Sequence, residues 1–280
     1  MLAYRHLFHA GNFADVFKHA LLARLLVALG RKEKPYAYVE THAGTGRYDL
    51  AHPWARKNAE FRDGIGRLWD RADVPEPLRP YLDAVRAENP DGRLRFYPGS
   101  PLVAARLARP QDRLVLAELG REDCAALARF FAHDRRVTVL VEDGYRALKA
   151  NVPPRERRGL VMIDSSFDRA GEFARVTEAL ADAHRRWATG VYALWYPLMA
   201  PQAMRGFERG VVATGIRKVL QLELSVRPEA WSETLRGCGM LVVNPPFGFG
   251  AEAGTILAWL APILAQQGGG AERVRWLVPE

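Results

Sequence analysis

Cysteine is scarce: only Cys124 and Cys238 stand in 280 residues. They form no CxxC pair, so a disulfide framework and a thiolate metal site are both excluded, and reduced, buried thiols are expected. No run of eighteen or more uncharged apolar residues occurs, so no helix is expected to cross a membrane. The amino terminus, Met1-Leu2-Ala3-Tyr4-Arg5-His6, lacks the charged-then-apolar order of a secretory signal, and a cytoplasmic location is expected. Histidines 6, 9, 19 and 42 join no Cys/His quartet of usable spacing, and no metal is expected. Internal repeats and low-complexity segments are missing too. Acid is in short supply: 32 Asp+Glu against 40 Lys+Arg leave a net charge of +8. That surplus gathers polyanions and suggests nucleic acid, but an arginine-rich surface on an ordinary enzyme carries the same excess, and charge alone leaves both open.

What is present is the composition of a folded protein, 49% hydrophobic and 26% charged. Ala14, Phe17, Leu21, Leu22, Leu25 and Leu26 recur at helical spacing, and Arg31-Lys32-Glu33-Lys34 then Pro35 mark the exit. Tyr36-Ala37-Tyr38-Val39-Glu40 reads as a strand and runs into the glycine turn Gly44-Thr45-Gly46. Residues 53–96 change character. Trp54, Phe61, Ile65, Leu68 and Trp69 sit at helical spacing, and Pro75, Pro77 and Pro80 precede a further helical stretch, so an inserted helical subdomain is expected within a main domain of residues 1–52 and 97–280. Strand-like runs follow at 114–117, 137–141, 160–163, 191–195, 219–222 and 240–243, most of them separated by helical stretches. Such alternation predicts an α/β fold, a doubly wound Rossmann-like sheet, with an antiparallel ending where the last two runs lack a helix between them. The tryptophans 54, 69, 187, 195 and 231 fall mostly on the apolar phase and are expected in the core.

In such a sheet a ligand lies beyond the carboxyl ends of the strands. The residues standing there are Glu40, then Glu118, then Glu142-Asp143-Gly144, then Asp164. A glycine turn admits a close backbone approach, and an acid ending the next strand can accept from both ribose hydroxyls. The pattern describes a nucleoside-bearing cofactor. NAD would require a third glycine, which Arg47-Tyr48-Asp49 does not supply, whereas the sulfonium of S-adenosylmethionine suits a pocket rich in acids. Taken singly, the glycine turn could be any tight turn, and Glu118 and Asp143 could be helix caps.

Longer stretches carry a resemblance. Residues 1–6 with Phe8-His9-Ala10-Gly11-Asn12, Asp15, Lys18 and His19, the segment Thr41-His42-Ala43-Gly44-Thr45-Gly46-Arg47-Tyr48, Tyr97-Pro98-Gly99-Ser100-Pro101, Ala193-Leu194-Trp195-Tyr196-Pro197, Ala213-Thr214-Gly215-Ile216-Arg217-Lys218 and Asn244-Pro245-Pro246 resemble the RlmJ-type 23S ribosomal RNA adenine-N6 methyltransferases over the full length. The resemblance implies a class I methyltransferase sheet with a small helical insertion, acting as a monomer on adenine 2030 of 23S RNA in naked or partly assembled form. It implies that S-adenosylmethionine is held by Lys18, His19, His42, Ser100, Glu118, Asp143, Gly144 and Asp164, that Asp164 is the catalytic acid, and that Tyr4 meets the RNA. One departure stands out: the family's D-P-P-Y is here Asp164-Ser165-Ser166-Phe167. Asp164 and the carbonyl of residue 165 can still accept hydrogen bonds from an amine, and Phe167 can stack on the base, while the serines give up the rigidity of proline. A catalytically weakened RNA-binding relative and a DNA adenine-N6 methyltransferase are the alternatives. Asn244-Pro245-Pro246-Phe247 looks closer to the amine-methylating motif, but its place after the last strand of that series suggests a stiffened turn.

Overall fold

The computed structural model describes residues 5–231 and 235–280. In chain order the elements are α1 (Phe13–Gly30), β1 (Ala37–Glu40), β2 (Arg47–Asp49), α2 (Pro53–Asn58), α3 (Arg79–Ala87), β3 (Phe96–Pro98), α4 (Ser100–Leu107), β4 (Arg113–Glu118), α5 (Arg121–Phe130) and β5 (Val137–Val141). They continue with α6 (Gly144–Asn151), β6 (Gly159–Ile163), α7 (Glu172–Arg186), β7 (Val191–Pro197), α8 (Pro201–Ala213), β8 (Val219–Ser225), β9 (Gly237–Val243), α9 (Phe249–Leu264) and β10 (Ala271–Val278).

Eight strands form one sheet in the order β10-β8-β9-β7-β6-β1-β4-β5. The run from β7 to β5 is parallel, β9 lies antiparallel between β7 and β8, and β10 pairs antiparallel with β8 at the edge. The sheet is covered on both faces because successive strand residues point opposite ways. Tyr38 and Met162 enter one cluster with α1, α4 and α9, while Val39, Val161 and Ile163 enter the other with α7 and α8. That two-sided burial is why the central strands read as unbroken apolar runs. The antiparallel ending follows expectation, with a further strand. β10 had only the short apolar run Trp276-Leu277-Val278 to betray it, since its charged Glu272, Arg273 and Arg275 are exposed along the edge.

Helix α1 differs from an ordinary surface helix. Asn12 caps it, its Oδ1 accepting from Ala14 N and Asp15 N at 3.0 Å. Thereafter it is buried on nearly every side, packed among α3, α4, α9 and the sheet, and even Asp15, Lys18, His19 and Arg24 are buried. Residues 53–96 contain α2, three short 3-10 turns and α3, and the antiparallel pair β2 and β3 brackets them. Ile65, Leu68, Leu78, Tyr81 and Val85 share one core with α1. Among the described residues no helix is long and apolar enough to cross a membrane.

Candidate active site

The strand order reverses at β1, which has β6 on one side and β4 on the other. A crevice opens beyond the carboxyl ends of the strands at such a switch point. Here it is a cleft of about 740 Å³ over the ends of β1, β4, β5 and β6, walled by the start of α1. Lys18, His19, His42, Ser100, Glu118, Asp143, Gly144 and Asp164 all line it. They come from six separate stretches between residues 18 and 164, brought together by the parallel strands and the helices packed on them. Tyr4 lies outside the described residues.

At one end of the cleft a buried charge cluster hangs from α1. Lys18 Nζ donates to Asp164 Oδ2 at 2.7 Å and lies 3.0 Å from Asp15 Oδ1. Asp15 also takes His6 Nε2 and the Gly11 N–H, each at 2.9 Å on Oδ2. Burial alone would push the Asp15 carboxyl up, but the facing His6 and Lys18 outweigh it and hold the group well below the usual carboxylate range. His19 is the reverse case: burial depresses its ring to about 3, so it is neutral, with Nδ1 2.8 Å from Tyr97 Oη. Asp164 is bound through Oδ2, and Oδ1 has no protein partner among the described residues. The cleft therefore contains an oriented carboxylate with one open acceptor oxygen.

The other end suits a nucleoside. Glu118 accepts from Gly44 N at 2.8 Å through Oε2 and from Gly120 N at 2.7 Å through Oε1, and burial raises its pKa. Gly44 has φ +62, and a Cβ there would fall 2.5 Å from Tyr48 Oη, so the turn requires glycine. Asp143 caps α6 through Oδ1, accepting from Tyr145 N and Arg146 N, while Oδ2 accepts from Arg175 at 2.9 Å. The cap reading and the cleft position thus hold together for this residue. Gly144 is pressed on the chain behind it, where a Cβ would meet Thr41 O at 2.0 Å. The His42 ring stands edge-on to Tyr145, and burial lowers its pKa. Beneath the floor Glu40 is wholly buried; it accepts from Ser100 Oγ, and burial raises it to about 8.

The loop after β6 is held by side chains. Ser165 Oγ donates to Glu172 Oε1 at 2.6 Å, and the same oxygen accepts from Tyr145 Oη. Ser165 and Ser166 both line the cleft. Phe167 is not among the lining residues: in the left-handed region at φ +55, its ring packs on Phe173 and on Trp195, which itself lines the cleft. Asn244 is likewise outside, its Nδ2 donating to Ala188 O and Gly190 O at 2.8 Å.

The model of the family described as ribosomal RNA large subunit methyltransferase D, RlmJ, matches residues 33–278. Two relatives called ribosomal RNA large subunit methyltransferase J cover the whole chain over their own whole length, at 43% identity in Haemophilus influenzae and 42% in Escherichia coli. This chain belongs to the RlmJ family. A crystal structure of a Legionella pneumophila protein superimposes with a TM-score of 0.89 at 35% identity, covering 96% of this chain and 98% of that one. A probable spermidine synthase from Corynebacterium glutamicum shares the fold alone, with a TM-score of 0.50 at 13% identity. The doubly wound α/β fold is thus shared with both structures.

Several cleft residues of this RlmJ-family chain escape a reading of the sequence. Asp15 had a signal, since it stands one helical turn before Lys18 in a mostly apolar helix. Glu172 and Arg175 had none; on α7 they look like the polar face of an amphipathic helix, and only the approach of α6 gives them Tyr145 and Asp143 as partners. One expectation is overturned. Trp54 is not core: it is 41% exposed, because α2 is a single short helix at the surface and the Trp54 ring packs on Phe8 and His52 at its edge rather than on the sheet. Trp187, by contrast, is buried.

Proposed function

We propose that this family member transfers the methyl group of S-adenosylmethionine to the exocyclic N6 of an adenine in 23S ribosomal RNA, the family target being adenine 2030. The observation that carries this reading is the open Oδ1 of Asp164 in a cleft whose far end is built for a nucleoside. The residues present fit the cofactor. The cleft falls within the usual size of a small-molecule site, Glu118 can accept from ribose hydroxyls through its remaining lone pairs, and Lys18 offers a cation to a carboxylate. Bound there, S-adenosylmethionine supplies a methyl carbon on a cationic sulfur, which takes the electron pair of the C–S bond as the N–C bond forms.

The chain's own contribution is orientation. The lone pair of an adenine amine is delocalised into the ring, so attack requires the N–H bonds to be held and the nitrogen to pyramidalise. Asp164 Oδ1 and the carbonyl of Ser165 accept those N–H bonds, and the positive charge that grows on nitrogen is stabilised by the carboxylate. Lys18 pins the other carboxylate oxygen, so Asp164 loses little freedom in the transition state. The surplus proton on N6 leaves to solvent. Because Phe167 is turned toward Phe173, base stacking at this position needs a movement of the loop or falls to another aromatic.

Labelled methyl transfer to 23S RNA from cells lacking the activity, followed by nucleoside analysis, tests the reading. N6-methyladenosine is expected. Methylated DNA with unmodified RNA, or methylation of another nucleoside, overturns it.

A further inference from the structure

An exposed aromatic face stands at the rim of the cleft, apart from the residues assigned above. Trp54 lies almost parallel to Phe8, with ring centroids 5.4 Å apart and an interplanar angle of 12°. Cations flank both rings: the Arg5 guanidinium carbon is 5.5 Å from the Trp54 centroid, and Lys57 Nζ is 6.0 Å from that of Phe8. Arg56 and Lys57 form no ion pair among the described residues, and the Glu122 that approaches Arg5 at 3.7 Å is itself almost fully exposed. Such exposed contacts hold little charge in place.

The face is anchored, not loose. His52 Nδ1 accepts from Trp54 N at 3.1 Å and caps α2, while the turn that carries Phe8 is tied down by His9 Nδ1 to Glu60 and by Asn12 Nδ2 to Glu60, both 3.0 Å. It is also continuous with the cleft. His6 and His9, on either side of Phe8, and Asn58, which ends α2, line the cleft. Any strand whose base enters the cleft must therefore pass Trp54 or the opposite rim.

We infer that Trp54 and Phe8 form a stacking platform for an unpaired nucleotide next to the target adenine, with Arg5 and Lys57 taking the adjoining phosphates. This rests on the RNA-methylating reading above. An adenine with its N6 in a base pair has to leave the helix, and its neighbours lose their stacking partners. An indole face restores that stacking without regard to sequence, and flanking cations neutralise the backbone. An apolar protein partner would gain nothing from two cations at the centre of its contact, one of them held only by an exposed carboxylate, so RNA is the occupant the charges favour.

The test is the affinity of wild type and Trp54→Ala for a hairpin cut from 23S RNA, read by fluorescence anisotropy and by the KM for the hairpin. Trp54→Ala is expected to weaken both roughly tenfold, and Trp54→Phe to recover most of the loss. S-adenosylmethionine affinity and the thermal midpoint control for folding. Lys57→Gln is expected to lower the slope of log Kd against log salt by about one. If Trp54→Ala stays within about twofold of wild type in hairpin affinity and KM while wild type methylates the hairpin, the platform is wrong, whether the face is idle or docks a protein, and the RNA-methylating reading stands. If wild type methylates no RNA yet Trp54→Ala still loses hairpin binding, the platform stands and the assigned reaction falls.

Discussion

Ser165, one residue beyond Asp164, donates its hydroxyl to Glu172 Oε1 at 2.6 Å. Both residues are buried, and Tyr145 donates to the same oxygen, so the loop after β6 is tethered to α7 and α6 at once. The family pattern stiffens this turn with prolines. Here a hydrogen-bonded tether does the same work from the side.

Ser165→Ala should therefore cost more than a surface serine would. Loss of a buried bond to a carboxylate is expected to lower stability by about 2 kcal/mol and to reduce kcat several-fold, with cofactor affinity little changed. The double change Ser165→Pro with Ser166→Pro is expected to leave activity no higher than wild type, because the proline restores rigidity while deleting the donor to Glu172. Urea unfolding and single-turnover methyl transfer measure both effects. A double variant faster than wild type would show that the tether contributes nothing.

Asp164→Asn keeps the volume of the side chain and removes its charge. Its kcat is expected to fall by about a hundredfold or more, the scale of losing one electrostatic stabiliser of the transition state, while cofactor binding stays within a few-fold by calorimetry. Asn244→Ala is the control. It removes two donations to the backbone at Ala188 and Gly190, so a stability loss of about 1–2 kcal/mol is expected with the turnover of the folded fraction retained. The opposite outcome, an active Asp164→Asn and an inactive folded Asn244→Ala, would move the active site elsewhere.

Glu40 predicts a pH dependence of stability. Its ordinary value is 4.5, and burial raises it to about 8 in the folded protein. Between those values the folded state keeps a proton that the unfolded chain releases, so the stability linked to Glu40 is complete below the lower value and is lost as pH rises to the upper one, at up to ~1.4 kcal/mol per unit. His19 acts on the acid side: its ring falls from 6.5 to about 3, so its contribution is present above the higher value and lost as pH drops toward the lower. Glu40→Gln should gain on wild type steadily from about pH 5 to about pH 8 in urea midpoints. A constant difference across that range would mean Glu40 is ionised when folded.

Substrate form and salt offer a further check. A base-paired or ribosome-covered adenine hides its N6, so a free 23S hairpin should be methylated faster than a completed ribosome. With a formal charge of +8, hairpin affinity should fall steeply as salt rises. Equal rates on hairpin and ribosome, or binding indifferent to salt, would contradict the mode of recognition proposed here.

The alternation of short apolar runs with helical stretches was enough to specify a doubly wound sheet, because burial on both faces leaves a mark on every residue of a central strand. The acids Glu118, Asp143 and Asp164 were legible for a related reason: each closes such a run, and the sheet places all run-ends at one edge. Local chemistry thus determined the fold class and the acids at the strand ends, while Lys18, His19, His42 and Ser100 were marked only by the family resemblance. Other features were decided only by packing. Edge strand β10 is exposed from Ala271 to Trp276 and its apolar run is only Trp276-Leu277-Val278, too short and too late in the strand to mark it. Trp54 and Trp187 share a residue type, yet one is exposed and one buried, since burial depends on what lies opposite in space. Glu172 and Arg175 became cleft residues only when α7 met α6, and Phe167 was turned from the cleft by Phe173, a neighbour on that same helix. Sequence determines which side chains can bear a charge or fill a core, and tertiary structure decides which of them meet, because the meeting depends on distances that no periodicity along the chain encodes.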